Sequence, residues 1–261
     1  MTSQMNPRTA ATNGRLWGAR ARDWADLQEG MVRPVYEAVL RRTRIKAGSH
    51  YLDVGCGTGM AAQMASALGA RAVGIDASEA LLTIARERTP SGHFRIGDLE
   101  ALPLTDQSFD VVTGFNSFQY AGNPGVALAE ARRVAKPDAQ VVVVTWGQPD
   151  AMPAASLVAA LRPLLPAPQP GSPGPFALSD ETALRKFAED ARLRPVEVFD
   201  VASPFHYPDL DTEIRALNSA AVAVRATENS SEEAVSQAYR DALMPFRRAE
   251  GLVTSQQLSA A

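Results

Sequence analysis

Between about residue 50 and residue 146 the chain alternates short apolar runs with stretches that repeat apolar positions at helical spacing. Tyr51-Leu52-Asp53-Val54 predicts a strand that runs into glycines. Met60, Ala61, Met64, Ala65 and Leu68 then share one face of a helix. Gly69 stands where a left-handed helix stop is wanted. Ala72-Val73-Gly74-Ile75-Asp76 predicts a second strand, and Ser78 caps a helix buried through Leu81, Leu82 and Ala85. His93–Ile96, Phe109–Thr113 and Val141–Val144 predict three more strands. Asn123-Pro124 opens a helix that stops at Lys136-Pro137. The run Val141–Val144 has no polar alternation, as expected of a strand covered on both faces. Strands and helices in this order predict a doubly wound α/β sheet.

The flanks are less regular. Residues 1–14 are polar and read as unstructured; Leu16 to Arg44 reads as helical, with Pro34 as a first-turn proline of its second part. The arginines there (15, 20, 22, 33, 41, 42 and 44) predict a solvated face. Residues 147–178 hold eight prolines, a loop-rich connection around one helix from about Pro153 to Leu165. Ser179 is placed as the cap of a helix that turns Leu184, Phe187 and Ala188 inward, and Val196–Phe199 as a sixth strand. Residues 208–249 predict two consecutive helices, the second opened by a capping box of Ser230 and Glu233. Residues 251–261 are a weakly β-prone last strand.

Composition removes several function classes. At 46% apolar and 21% charged, the chain is not globally disordered. A single cysteine makes neither an internal disulfide nor a Cys-based metal cage, so no metal site is expected. No apolar run approaches the ~18 residues of a membrane span. The polar start shows no signal peptide, so a cytoplasmic location is expected. A net charge of −3 offers no basic footprint for nucleic acid.

The chemistry concentrates in Asp53-Val54-Gly55-Cys56-Gly57-Thr58-Gly59, which ends a strand and opens a helix. Glycines suit a tight turn where a ligand meets main-chain atoms, and a helix N-terminus offers N–H groups to an anion. A dinucleotide fingerprint wants a third glycine or alanine at the place Met60 occupies. Asp76 ends the second strand, where a carboxylate accepts from both hydroxyls of a ribose, as in sites for NAD and for S-adenosylmethionine. Asp98 ends the third, suited to an adenine amino group. Any one of these is ordinary as a cap or loop aspartate; the ordered set on one sheet edge is not.

These residues resemble those of class I S-adenosylmethionine-dependent methyltransferases, in the small-molecule branch that includes the ubiquinone/menaquinone-biosynthesis type. The resemblance rests on 52–59, Val73–Ser78, Gly97–Leu104, Ser108–Val112 and Arg133–Asp138, and covers about 50–146. It implies that Asp53, Gly55, Gly57 and Gly59 hold the methionine portion, Asp76 with Ala77 the ribose, and Asp98 with Leu99 the adenine. Asn116 would lie under the methionyl amino group, and Trp17 on a lid helix over the cofactor. Asp138 departs from the family's usual glycine. The expected architecture is a mainly parallel, seven-stranded Rossmann-like sheet: helical lid 1–45, core 46–207, two-helix cap 208–249, last strand 250–261.

The residues after the fourth strand, Phe115-Asn116-Ser117-Phe118-Gln119-Tyr120, lack the two prolines usual in enzymes that methylate nucleobase or glutamine amino groups. Phe118, Gln119, Tyr120 and Tyr207 are therefore expected to line the pocket of a small-molecule methyl acceptor, with His206 as the candidate base. A monomer or homodimer is expected. Two other readings stay open: a protein that binds the cofactor without transferring methyl, and a nicotinamide-dependent oxidoreductase.

Overall fold

The structure is a computed structural model that describes residues 9–167, 174–248 and 251–260, with side chains described for 9–167 and 174–246. The N-terminal segment comprises α1 (Ala10–Gly18), the single turn α2 (Ala21–Asp23), a π-helical turn Trp24–Gln28, a 3₁₀ turn Glu29–Val32 and α3 (Arg33–Arg42). α1 starts well before Leu16. Thr9 Oγ1 and Asn13 Nδ2 donate to the Tyr120 carbonyl at 2.7 and 2.8 Å, a tertiary anchor that periodicity does not register.

The core follows: β1 (His50–Val54), α4 (Met60–Ala67), β2 (Arg71–Asp76), α5 (Glu79–Arg88), β3 (His93–Ile96), β4 (Phe109–Phe115), α6 (Pro124–Val134) and β5 (Ala135–Trp146). Gly69 ends α4 at φ +87°, and Ser78 and Asn123 cap α5 and α6 as expected. β5 starts six residues early, running through Asp138 at φ +63°. Aspartate is among the few non-glycine residues that tolerate this region, so the departure from glycine keeps the bend.

The remainder is α7 (Ala155–Ala160), α8 (Glu181–Asp190), β6 (Phe199–Tyr207), α9 (Leu210–Leu217), α10 (Ala221–Asn229), α11 (Glu232–Leu243), β7 (Arg247–Arg248) and β8 (Gly251–Ala260). The sheet order is β3-β2-β1-β4-β5-β8-β6, with β7 paired to β8. The first five strands are parallel; β8 runs antiparallel to both neighbours. The expected seven-stranded sheet thus becomes five contiguous parallel strands within a sheet of eight, because Arg247–Arg248 adds a short strand. β6 begins at Phe199 rather than Val196, since its extent is set by pairing with residues 252–260. It is the edge strand, where Pro204 needs no ladder donor.

Strand alternation distributes the core. Leu52, Val54 and Val112 point to α6 and α8 with Leu128, Ala131 and Leu184. Tyr51, Val111 and Phe94 point to α3, α4 and α5 with Leu40, Ala65, Leu82 and Ala85. A second core joins α7 to α9, α10 and α11 through Leu157, Leu161, Ile214, Val235 and Leu243. The two helices expected over 208–249 are three, because Ser219 and Ser230 donate to the terminal-turn carbonyls of Ala216 and Ala226 and satisfy the broken helix ends. The caps also shift by one residue. Asp180, not Ser179, accepts from the Ala183 N–H, and Ser231, not Ser230, from that of Ala234, which leaves no capping box with Glu233.

The N-terminal segment is tied to both cores. Gly14 lies so close to Ala77 that an added Cβ would sit 2.2 Å from its carbonyl oxygen, and Gly18 packs on Ser78. Arg20, Arg15 and Arg215 pair with Glu232, Glu228 and Asp23 across the seam to α9–α11. The anchor to the parallel core is buried: Glu29 accepts from the Thr58 hydroxyl and from Arg88, which also donates to the Ala25 carbonyl at 3.0 Å. Removing one member of a buried pair strands the other charge, at a cost of about 3–5 kcal/mol. Glu29→Ala is expected to lower unfolding stability by about that amount in urea titration. Arg22→Ala, which breaks the exposed pair to Glu87, is expected to leave the midpoint near wild type.

Candidate functional site

The β1–α4 turn carries Gly55, Gly57 and Gly59 at φ +76°, +54° and +78°. A side chain at Gly55 would strike Ser117 at 2.4 Å, and one at Gly59 would strike Ala85 at 2.8 Å. At Gly57 an added Cβ would meet nothing within 4 Å. The outer glycines are therefore packed against neighbouring elements, while the middle one borders open space, a place where a ligand reaches main chain.

Carboxylates gather beside this turn. Asp76 accepts from the N–H groups of Gly57 (2.9 Å) and Ser78 (2.8 Å), joining the β2 tip to the glycine turn. Each oxygen keeps a second lone pair, and burial raises the carboxyl above its usual range. Asp53 is buried on the α3–α4 side, where Thr113 Oγ1 donates to it at 3.0 Å. Burial, then the charges of Glu29 and Asp76, push its carboxyl up to about 7. Gly97 N–H donates to the Asp76 carbonyl at 3.0 Å, which brings Asp98 to the next strand tip. There Asp98 Oδ1 accepts from the Glu100 N–H at 2.9 Å, with half-buried Leu99 alongside.

On the β4 and β5 side, Asn116 has φ +49°; its N–H donates to the Val144 carbonyl and its Oδ1 accepts from Gln119. Ser117 Oγ, Gln119 Oε1 and Thr145 Oγ1 are buried there without a protein partner. Trp17 meets Trp24 and Tyr120 edge-on, at 4.9 and 5.9 Å between ring centroids. The N-terminal segment thereby packs against the turn that follows β4.

Two of the expected acceptor-side residues lie elsewhere. Phe118 is fully buried in the main core, its ring filling the space left by Gly114, because the 3₁₀ turn Phe118–Tyr120 folds it under the sheet. His206 belongs to β6, whose alternation buries Phe205 and Tyr207 and exposes His206. Tyr207 does face inward, and its hydroxyl donates to Gln28 at 2.5 Å. Gln28, Glu29 and Arg88 were missed in the sequence; the one local signal was Thr58 inside the glycine turn.

A profile of the family described as "Methyltransferase domain" matches residues 52–143, the span that carries the glycine turn and all three strand-tip aspartates. The match falls on the part of the chain whose residues carry the resemblance described above. A malonyl-[acyl-carrier protein] O-methyltransferase of Serratia marcescens is 32% identical over 127 residues, 49% of this chain and 50% of that protein. A demethylmenaquinone methyltransferase of Renibacterium salmoninarum is 32% identical over 149 residues, 57% and 58% respectively. The chain thus spans about half the length of the curated relatives it matches. Among solved structures, a chain of the Haloferax volcanii complex containing the Trm112 methyltransferase activator shares the fold. Its TM-score is 0.58 at 21% identity, over 94% of this chain and 96% of that one.

The residues gathered here fit S-adenosylmethionine, the cofactor that the resemblance implies. The open space at Gly57 admits a ligand to the main chain. Carboxylates on neighbouring strand tips suit a ligand that carries a sulfonium, an ammonium and sugar hydroxyls, and the three unpartnered oxygens at β4–β5 are further acceptors. Among the described residues no helix is long and apolar enough to cross a membrane.

The pH behaviour of Asp53 follows from its burial. Its folded-state value, about 7, lies above the ordinary 3.8. The stability it contributes is therefore fully present below about pH 4 and is lost as the pH rises through 7. Asp53→Asn is expected to reduce the loss of unfolding free energy between pH 5 and pH 8 by roughly 2–4 kcal/mol. An equal loss in both proteins, measured by urea titration without cofactor, would contradict the assignment.

Proposed function

We propose that this chain is an S-adenosylmethionine-dependent methyltransferase acting on a small organic acceptor. The observation that carries this reading is the open glycine turn flanked by strand-tip carboxylates within a methyltransferase domain. In this reading Asp53, Gly55, Gly57, Gly59 and Asn116 hold the methionine portion. Asp76 with Ala77 takes the ribose, Asp98 with Leu99 the adenine, and Trp17 covers them. The cofactor supplies a methyl group already activated on a sulfonium. The chain's part is then alignment and exclusion of water, and alignment alone contributes ~7–11 kcal/mol.

Among the described residues, those up to 45 serve as the lid and those from 208 to 248 as the cap on the core that starts at 46, with 251–260 completing the sheet; residues 1–8, 168–173, 249, 250 and 261 of the expected ranges 1–45, 46–207, 208–249 and 250–261 lie outside the described residues. Gln119, Tyr120 and Tyr207 face the space between lid and strand tips, the position of an acceptor pocket. A general base adds only ~10²–10⁴-fold, so the outward-facing His206 is not required. Malonyl-[acyl-carrier protein] and demethylmenaquinone, named for the relatives, set the kind of acceptor to try first.

Calorimetry with S-adenosylhomocysteine and NAD side by side tests the cofactor, and tighter binding of NAD would overturn the reading. Asp76→Ala is expected to weaken S-adenosylhomocysteine binding by about 1–3 kcal/mol, the cost of unpaired hydroxyls; unchanged affinity would remove Asp76 from the ribose. Transfer itself is tested by incubating cell extract with the protein and methyl-labelled cofactor, then searching for labelled products by mass spectrometry. Cofactor binding with no labelled product would favour a binding protein instead.

A further inference from the structure

Among the described residues, Glu213 is the only carboxylate with both oxygens buried and without a hydrogen-bond partner. It lies on α9, between Ala216, which packs with Phe205 and Tyr207, and Ile214 and Leu217, which belong to the second core. Among the described residues no cation offsets it. Arg215, two residues on, turns away to Asp23. The ionisable group in electrostatic reach of Glu213 is Tyr207, itself beside Tyr239. Burial alone pushes the Glu213 carboxyl up to about 7. An unpaired polar group in an apolar setting costs several kcal/mol, so buried orphans of this kind point to a partner from outside the chain.

The position connects Glu213 to the cofactor side. Tyr207, its neighbour, donates to Gln28, and Gln28 precedes Glu29, which holds Thr58 of the glycine turn. The seam between α9–α11 and the N-terminal segment carries the pairs Arg15–Glu228, Arg20–Glu232 and Arg215–Asp23, all with at least one exposed partner, beside the packing of Leu16 on Ala221 and Val224. Exposed pairs contribute little, so the ion pairs of this seam hold it less firmly than the buried Glu29–Arg88 pair holds the other side.

We propose that Glu213 is the specificity residue for the methyl acceptor, and that it receives a protonated amine carried on an apolar body. This inference rests on the methyltransferase reading. An ammonium group supplies both the missing charge and donors for two carboxylate oxygens. An alcohol leaves the charge uncompensated, and a carboxylate or phosphate is repelled. A protonated amine has no free lone pair, so it serves as the handle, and the atom that is methylated lies elsewhere on the acceptor.

The probes are n-hexylamine, 2-phenylethylamine and tyramine, each titrated against its alcohol counterpart into the full chain saturated with S-adenosylhomocysteine. In wild type at least one amine is expected to bind tenfold or more tightly than its alcohol. Its affinity is expected to rise between pH 6 and pH 8 as the carboxyl ionises. Glu213→Gln is expected to abolish the preference and the pH dependence while S-adenosylhomocysteine affinity stays within twofold. No amine preference in wild type overturns the proposal without need of any variant, as does a preference that persists in Glu213→Gln. A purely structural Glu213 would move the variant's melting temperature and leave the amine-to-alcohol ratio unchanged. Failure of S-adenosylhomocysteine to bind wild type would instead sink the underlying methyltransferase reading.

Discussion

Three left-handed glycines at the β1–α4 turn set the geometry on which the rest of the site depends. Gly55 and Gly59 let the turn lie against Ser117 and Ala85, closer than any side chain permits. That approach places the helix start, the β2 tip and the β4 tip around one small space. Asp76 then locks the arrangement by accepting from Gly57 and Ser78 together. A residue with a Cβ at either outer glycine would separate these elements, and with them the carboxylates that give the space its charge.

The charge itself is held under tension. Asp53, Asp76 and Glu29 lie near one another, and burial disfavours ionisation of Asp53 and Asp76. Arg88 answers one of them through Glu29. The balance left on the strand tips is an environment that favours a positively charged ligand. The same buried pair fastens the N-terminal segment to the glycine turn.

The chain is built in two tiers of attachment. Toward the parallel core the N-terminal segment has a buried ion pair and glycine-thin contacts at Ala77 and Ser78. Toward α9–α11 it has exposed ion pairs and the packing of Leu16 on Ala221 and Val224. The two sides differ in the burial of their charges, and with it in what each ion pair contributes.

The alternating core from 50 to 146 was legible in the sequence because its signals are local. Helix faces repeat at i, i+4 and i+8, buried strands are continuous apolar runs, and caps such as Ser78 and Asn123 act within three residues. The glycine turn and the aspartates that follow successive strands belong to the same class of signal. Residue type and spacing thus determined the doubly wound fold and the gathering of glycine turn and carboxylates at one sheet edge. They did not determine where individual side chains point beyond that core. Phe118 went into the core because Gly114 opposite it leaves a ring-sized gap, and His206 turned outward because pairing with β8 set the phase of β6. The Glu29–Thr58–Arg88 anchor and the buried Glu213 join residues far apart in the chain, and only tertiary packing decides which distant charge meets a partner and which is left without one.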